Sequence, residues 1–282
     1  MWRKLAGKTD VGRVRQDNQD DYRAGRLPGD AAWLLVCDGM GGARGGREAS
    51  QSACNIIERC FQEQYASKCL PGEEETFLKK TLLSANRFVF QKALREEALA
   101  GMGTTAVCAL VRSGRVYLCH AGDSRAYLYR DGQLAQLTHD HSYVQELVDC
   151  GTITVEEAEH HPQKNIITRA LGVDYRLEPE FTTVALQAGD VLLLCTDGLT
   201  NAVPTEQLEQ LLRSGSFYDL PDAGAFGRPY LQFFRGVACQ LTVKTYFYRL
   251  SDCISIIKNK AARPVAVVKD ARRLNFFVFI RK

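Results

Sequence analysis

The sequence predicts an α+β protein, and three observations carry that expectation. An apolar run, Trp33-Leu34-Leu35-Val36-Cys37, has the length of a buried strand and ends in Asp38-Gly39-Met40-Gly41-Gly42. Two consecutive segments between residues 48 and 93 repeat their apolar residues at helical spacing. From residue 105 onward come short runs rich in Val, Leu and Tyr, divided by turn-forming residues. Consecutive helices and consecutive strands, rather than a strict alternation of the two, fit an α+β chain.

The elements follow in order. Residues 3–9 and 20–25 read as short extended segments, with a polar stretch without helical period between them. Residues 31–37 form a buried strand. From Glu48 to about Tyr65, Ala49, Ala53, Ile56, Ile57, Cys60 and Phe61 mark one face of a helix, which Pro71-Gly72 breaks. A second helix opens on Glu73-Glu74-Glu75, acidic as the helix dipole favours, and carries Phe77, Leu78, Leu82, Ala85, Phe88, Val89 and Ala93 on one face. Strands are expected at 105–112, 115–121, 125–130 and 133–137, separated by Ser113-Gly114, Gly122-Asp123-Ser124 and Asp131-Gly132. The last pair sits between alternating strands and reads as a hairpin turn. Ser142 caps a helix stopped by Gly151, and Thr154-Val155-Glu156-Glu157 has the capping-box pattern. Residues 181–186 and 190–195 are strands joined by Gln187-Ala188-Gly189. Thr205 caps a helix with Leu208, Leu211 and Leu212 that ends near Gly215. After Pro221 the periodicity is lost.

Composition narrows the class of function. The 282 residues are 45% hydrophobic, enough for a large core, and the net charge of +3 is no sign of nucleic-acid binding. The charge is uneven. Residues 224–282 hold 12 Lys/Arg against Asp252 and Asp270, a balance of about +10 that leaves the rest of the chain at about −7. None of the 10 cysteines forms a Cys-x-x-Cys pair, and Cys37, Cys108, Cys119 and Cys195 lie in apolar runs, so zinc and disulfide frameworks are not expected. The first nine residues lack an apolar signal core, and the apolar runs fall short of the ~20 residues of a membrane span. The reading is a reducing, cytoplasmic protein.

The residues that invite chemistry are carboxylates. The apolar-run-then-Asp-Gly device of Asp38-Gly39 recurs at Leu192-Leu193-Leu194-Cys195-Thr196-Asp197-Gly198. Asp20 and Asp123 also sit at expected strand edges or turns, and Asp252 precedes an apolar run. Each alone reads more readily as a solvated turn residue than as a ligand. Together they match what Mg²⁺ or Mn²⁺ binds, carboxylate and carbonyl oxygen with few or no imidazoles. Arg15, five residues before Asp20, is either a surface ion-pair partner or a bidentate phosphate donor.

These residues fall in blocks that resemble the metal-dependent Ser/Thr protein phosphatases of type 2C, the PPM family, in bacterial form. The blocks are Thr9-Asp10 through Val14-Arg15 to Asn18-Gln19-Asp20, then Asp38-Gly39-Met40-Gly41-Gly42, then Met102-Gly103-Thr104-Thr105. Ala121-Gly122-Asp123-Ser124-Arg125-Ala126-Tyr127 and Leu137-Thr138-x-Asp140-His141-Ser142 follow. Ile166-Ile167-Thr168-Arg169-Ala170-Leu171-Gly172 and Cys195-Thr196-Asp197-Gly198-Leu199 complete the set. The resemblance covers roughly three quarters of the chain, from residue 9 to about 213, in the family's order.

It implies an antiparallel β-sandwich flanked by helices on both sides, a four-layer αββα arrangement with metals in a cleft at one end. It also implies two Mn²⁺ or Mg²⁺ ions and a third, weaker one. Asp38 would bridge the two metals and the Gly39 carbonyl would bind one. Asp197 would hold the other, Asp20 would hold metal-bound water, and Asp123 would serve the third ion. Arg15 would grip the substrate phosphate. Residues 142–172 would form a mobile flap, with Asn165 in it approaching the third metal. A metal-bound hydroxide would attack the phosphorus of a phospho-Ser/Thr protein directly, in a monomer that opposes a bacterial Ser/Thr kinase.

Three departures matter. Met40 stands where animal members carry a proposed acid, and Ala43 stands where many bacterial members have His. Arg47 stands where bacterial members usually have Glu, so no side chain is assigned to protonate the leaving group. His141 reads as a structural hydrogen-bonder rather than that acid. At the C-terminal end, the family's final metal-ligand Asp is matched only by Asp252 in Ser251-Asp252-Cys253, after an unusually long gap. The expected division is therefore a phosphatase core at 1–222 and an atypical basic segment at 223–282 that supplies a last strand at about 252–257. The rival expectation is a pseudo-phosphatase, a regulatory binding module with weak or no turnover.

Overall fold

The computed structural model describes residues 4–9, 11, 17–214 and 277–281. Arg15, Asp252 and the expected strand at 252–257 lie outside the described residues. The described elements are β1 (Lys4–Lys8), β2 (Asp20–Leu27), β3 (Ala31–Met40), α1 (Gly42–Lys68), α2 (Glu74–Arg95), β4 (Gly103–Thr104), β5 (Ala106–Arg112) and β6 (Arg115–Ala121). They continue with β7 (Arg125–Arg130), β8 (Gln133–Gln136), α3 (Tyr143–Asp149), α4 (Val155–His160), β9 (Glu180–Ala185), β10 (Val191–Cys195), α5 (Asp197–Thr200), α6 (Thr205–Ser214) and β11 (Phe277–Arg281).

The strands form two sheets with antiparallel pairings. One has the order β1-β11-β10-β7-β8 and the other β2-β3-β5-β6-β9, with β4 paired to the end of β3. Side chains of a strand alternate between faces, and β3 shows how that builds the layers. Ala32, Leu34 and Val36 meet Ala126, Leu128, Leu192 and Leu194 of the opposite sheet, which makes the centre of a sandwich. Trp33, Leu35 and Cys37 face the other way, onto Ile57, Phe61, Leu78 and Leu82 of α1 and α2. Trp33 stacks on Phe61 with centroids 4.6 Å apart, and Phe77 meets the same ring edge-on at 5.3 Å. On the outer face of the first sheet, Tyr127, Val191, Leu193 and Cys195 pack against Leu208, Leu211 and Leu212 of α6. Helix, sheet, sheet, helix is the expected αββα order.

Several local expectations are met by the physics that motivated them. Asp131 and Gly132 both have positive φ, 51° and 88°, as a tight hairpin between β7 and β8 requires. The Ser142 side chain accepts from Gln145 N at 3.3 Å, and Thr154 and Glu157 form the complete capping box. Other elements depart from the sequence reading: β4, α5 and β11 have no counterpart in it, and α1 and β3 have different bounds. Helix α1 starts at Gly42, not near Glu48, and takes Gly45 and Gly46 into its first turns. Helical glycine is unfavourable in isolation, but space decides here: a Cβ on Gly46 would stand 2.5 Å from Gln19 Oε1 and 2.8 Å from Gly39. Strand β3 also runs past Cys37 to Met40, so Asp38 lies within a strand rather than in a turn after it.

Candidate metal centre

Strand pairing brings the first two carboxylates together. Asp20 opens β2 and is directly opposite Asp38 of β3 in the register. Like charges facing each other across a strand pair are destabilising unless something offsets them. The backbone of Asp38 is braced on three sides. Its N–H donates to Thr105 Oγ1 at 2.9 Å, and its carbonyl accepts from Thr104 Oγ1 and Thr105 N, each at 2.9 Å. Thr105 Oγ1 lies 2.7 Å from Ser124 Oγ, beside Asp123 in the turn between β6 and β7. One pair of hydroxyls thus connects the Asp38 strand to the Asp123 turn.

Gly39 has no alternative side chain. Its N–H donates to Gln19 O at 3.1 Å, and an added Cβ would stand inside the Gly46 carbonyl and 2.6 Å from Gln19 O. Asp197 comes from the opposite sheet, at the start of α5 just beyond β10, where Asn201 Nδ2 donates to its Oδ2 at 2.9 Å. The preceding residue makes the link between sheets: Thr196 Oγ1 donates to Asp20 Oδ2 at 3.1 Å.

The electrostatics confirm that these groups share one region. Burial holds the Asp38 carboxyl well above the usual carboxylate range, and Asp20, Asp197 and Asp123 push it the same way. Burial, then the charges of Asp197 and Asp140, raise Asp123 to about 7, against a smaller opposing effect of Arg125. The neighbouring aspartates raise the cost of ionising Asp38 and Asp123, and a multivalent cation relieves that cost. Hard oxygens with no imidazole or thiolate among them fit Mg²⁺ or Mn²⁺.

Other expected residues take different places. Asn165 lies exposed in the loop between α4 and β9, and no described contact joins it to the four aspartates. Arg47 donates to Asn18 O at 3.3 Å and ion-pairs with Asp17, so it holds the stretch leading into Asp20. His141 is buried, and burial, His120 and Arg169 lower it to about 4, which leaves it neutral and in the structural role expected of it. The sequence assigns no individual role to Thr104, Thr105, Ser124 and Thr196. The available signal was a hydroxyl in a buried stretch next to, or in the same block as, a glycine or an aspartate of the set.

The comparisons with known proteins agree with this fold. A family profile described as protein phosphatase 2C matches residues 11–241. The serine/threonine phosphatase stp of Listeria monocytogenes is 42% identical over 208 residues, which are 73% of this chain and 82% of that one. The crystal structure of the Staphylococcus aureus serine/threonine phosphatase Stp1 superposes with a TM-score of 0.77 at 29% identity, covering 99% of this chain and 94% of that one. The catalytic domain of the phosphatase PstP, solved in complex with 2 manganese ions, gives a TM-score of 0.67 at 35% identity over 78% of this chain and 88% of that one. Sequence blocks, layer order and the convergence of four aspartates have one common explanation: the chain belongs to the protein phosphatase 2C family.

Proposed function

We infer that the protein is a metal-dependent serine/threonine phosphatase that hydrolyses phosphoserine or phosphothreonine in proteins, with Asp38 at the centre of a site for two Mn²⁺ or Mg²⁺ ions. Family membership and relatives named as serine/threonine phosphatases support the activity. The carrying observation for the metals is the Asp20–Asp38 cross-strand pair, with Asp197 and Asp123 raising the carboxyl of Asp38. In this reading Asp38 would be shared by both ions, the Gly39 carbonyl would serve one and Asp197 the other. Asp20 would act through water, and Asp123 would serve a third, weaker ion. Asp252 and Arg15 are proposed as a further ligand and as the phosphate grip. When bound, the ions supply positive charge that activates water and offsets charge on the transferring phosphoryl group.

The chain's own residues prepare that chemistry. Thr104 and Thr105 fix the backbone of Asp38, so its carboxylate is aimed without reorganisation. Thr196 satisfies one oxygen of Asp20 and so sets its orientation. A binding module without turnover is not favoured, because relatives over this same region are named as phosphatases. Among the described residues no helix is long and apolar enough to cross a membrane. A cytoplasmic monomer opposing a Ser/Thr kinase is the setting that fits the uncapped apolar cysteines and the substrate class.

The test is hydrolysis of a phosphothreonine peptide with Mn²⁺, repeated with chelator and with Asp38→Asn. Turnover that requires Mn²⁺ and is lost in the variant is the expected result. A folded protein with no Mn²⁺-dependent turnover would overturn the reading.

A further inference from the structure

One side chain outside the aspartate cluster touches three separate parts of the fold. His141 lies just before α3 and is 5% exposed. Its backbone N–H donates to Gly122 O at 3.0 Å, and its Nδ1 accepts from Gly122 N at 3.2 Å. Both peptide groups of the residue before Asp123 are therefore held by a single histidine. Its carbonyl accepts from Thr168 N at 2.9 Å, where the flap returns, and Ser142 bridges Ile167 beside it. Because Nδ1 is an acceptor, the imidazole proton resides on Nε2, which reaches Glu180 Oε2 at 3.3 Å. The Arg169 guanidinium stands 3.4 Å from the same nitrogen.

The arrangement is a brace and not a second metal site. His120, His141 and Glu180 are close enough to suggest one, but the two imidazoles are stacked at 4.7 Å and only 3° from parallel. Imidazole lone pairs lie in the ring plane, so parallel stacked rings do not aim at one ion, and Arg169 already brings a cation to His141 Nε2. His120 is itself fixed by a 2.8 Å contact from Nε2 to His139 O. Gly122 has no freedom to compensate for a lost partner. Its φ is +112°, and a Cβ there would meet Thr105 at 2.5 Å, the residue that braces Asp38.

We propose that His141 is a positioning residue that sets the backbone of Asp123 from the base of the flap, and so tunes the weakest cation site without touching a cation or substrate. The inference rests on the reading of Asp123 as a ligand of a third, weaker ion. It predicts that the two nitrogens of His141 have separable roles. Nδ1 holds the Asp123 turn, and Nε2 joins the Glu180 and Arg169 side of the flap.

Three variants of the full chain separate those roles. His141→Asn keeps an acceptor near the place of Nδ1, His141→Gln keeps a donor near the place of Nε2, and His141→Leu keeps neither. Two quantities are measured: Mn²⁺ binding by calorimetric titration, and amide hydrogen exchange at Gly122. The weakest Mn²⁺ step is expected to weaken about tenfold in the Gln and Leu variants, the equivalent of one buried hydrogen bond, and to stay within about threefold in the Asn variant. The tighter steps should not move, and Gly122 exchange should rise in the Gln and Leu variants only. A Gln variant that binds Mn²⁺ like the parent, or an Asn variant that fails equally with Gln, would overturn the proposal while leaving the metal centre standing. If the Leu variant does not fold, the Asn and Gln pair decides. No Mn²⁺ binding by the unsubstituted protein would overturn the metal-centre reading, and this proposal with it.

Discussion

Replacing Asp140 by alanine tests whether the polar framework behind the aspartates holds the fold. Asp140 is 7% exposed and takes three contacts from Arg125: Nε at 2.9 Å to each oxygen, and Nη2 at 2.6 Å to Oδ2. Gln136 Nε2 adds a fourth at 3.0 Å. Removing the carboxylate strands most of the Arg125 guanidinium, which keeps a bond to Tyr127 Oη, while Gln136 Nε2 keeps Thr138 O. Breaking a buried pair from one side costs about 3–5 kcal/mol. A third of the Arg125 side chain is wetted, and solvent screening brings the expectation to about 2–3 kcal/mol. In a chain of this size that lowers Tm by roughly 5–10 °C. The assay is thermal unfolding followed by circular dichroism in chelator, which removes any metal contribution from the comparison. A double variant without either charge, Arg125→Met with Asp140→Leu, is expected to be more stable than Asp140→Ala alone, because no charge is then stranded. A loss under about 0.5 kcal/mol in Asp140→Ala would show the pair to be an ordinary solvated contact and refute the reasoning.

Three further outcomes follow from the same structure. Acid should destabilise the protein through His141, whose folded pKa of about 4 lies below the ordinary 6.5. The unfolded chain takes up the proton first, so stability present above about pH 6.5 is lost as pH falls toward 4, by about 2 kcal/mol once the part-exposed Glu180 is allowed for. The groups facing His141 are His120, Arg169 and Glu180. His141→Gln should flatten that part of a urea-midpoint profile, and an unchanged slope would count against it. Gly39→Ala should cost about 2–4 kcal/mol and remove turnover, since its Cβ has no place beside Gly46; a variant with parental Tm and activity would refute the close approach. Phe61→Ala should cost about 3–5 kcal/mol through the emptied contact with Trp33 and Phe77, yet keep kcat. A large fall in kcat in a variant that remains folded would mean that this core transmits to the site.

How much of this was legible in the sequence depends on the range of the interaction. Local chemistry read well: the Asp131-Gly132 hairpin and the Thr154 capping box need only neighbours in the chain. The apolar run of β3 read as a buried strand, but which of its side chains meet the opposite sheet and which meet the helices is set by packing. The start of α1 did not read well, because glycine propensity argues against a helix and only the approach of Gln19 and Gly39 explains the glycines. At the site, the four aspartates could be chosen by type and context, but that Asp20 and Asp38 are partners is a fact of register. The Thr196 bond to Asp20 and the double hold of His141 on Gly122 join residues far apart in the chain or across a turn, where periodicity carries no signal.

The place of β11 in its sheet has a consequence for synthesis. Phe277–Arg281 pairs with β1 on one side and β10 on the other. Those two strands therefore leave the ribosome long before the strand that lies between them. Until it arrives, each presents a row of unpaired backbone donors and acceptors, which is a template for another chain. Closing the sheet joins the earliest and latest described strands, the most distant contact this topology contains, and such contacts slow folding. The nascent protein thus has a waiting period in which its first sheet is open, and chaperone demand and aggregation should be set by that interval more than by the finished fold's stability.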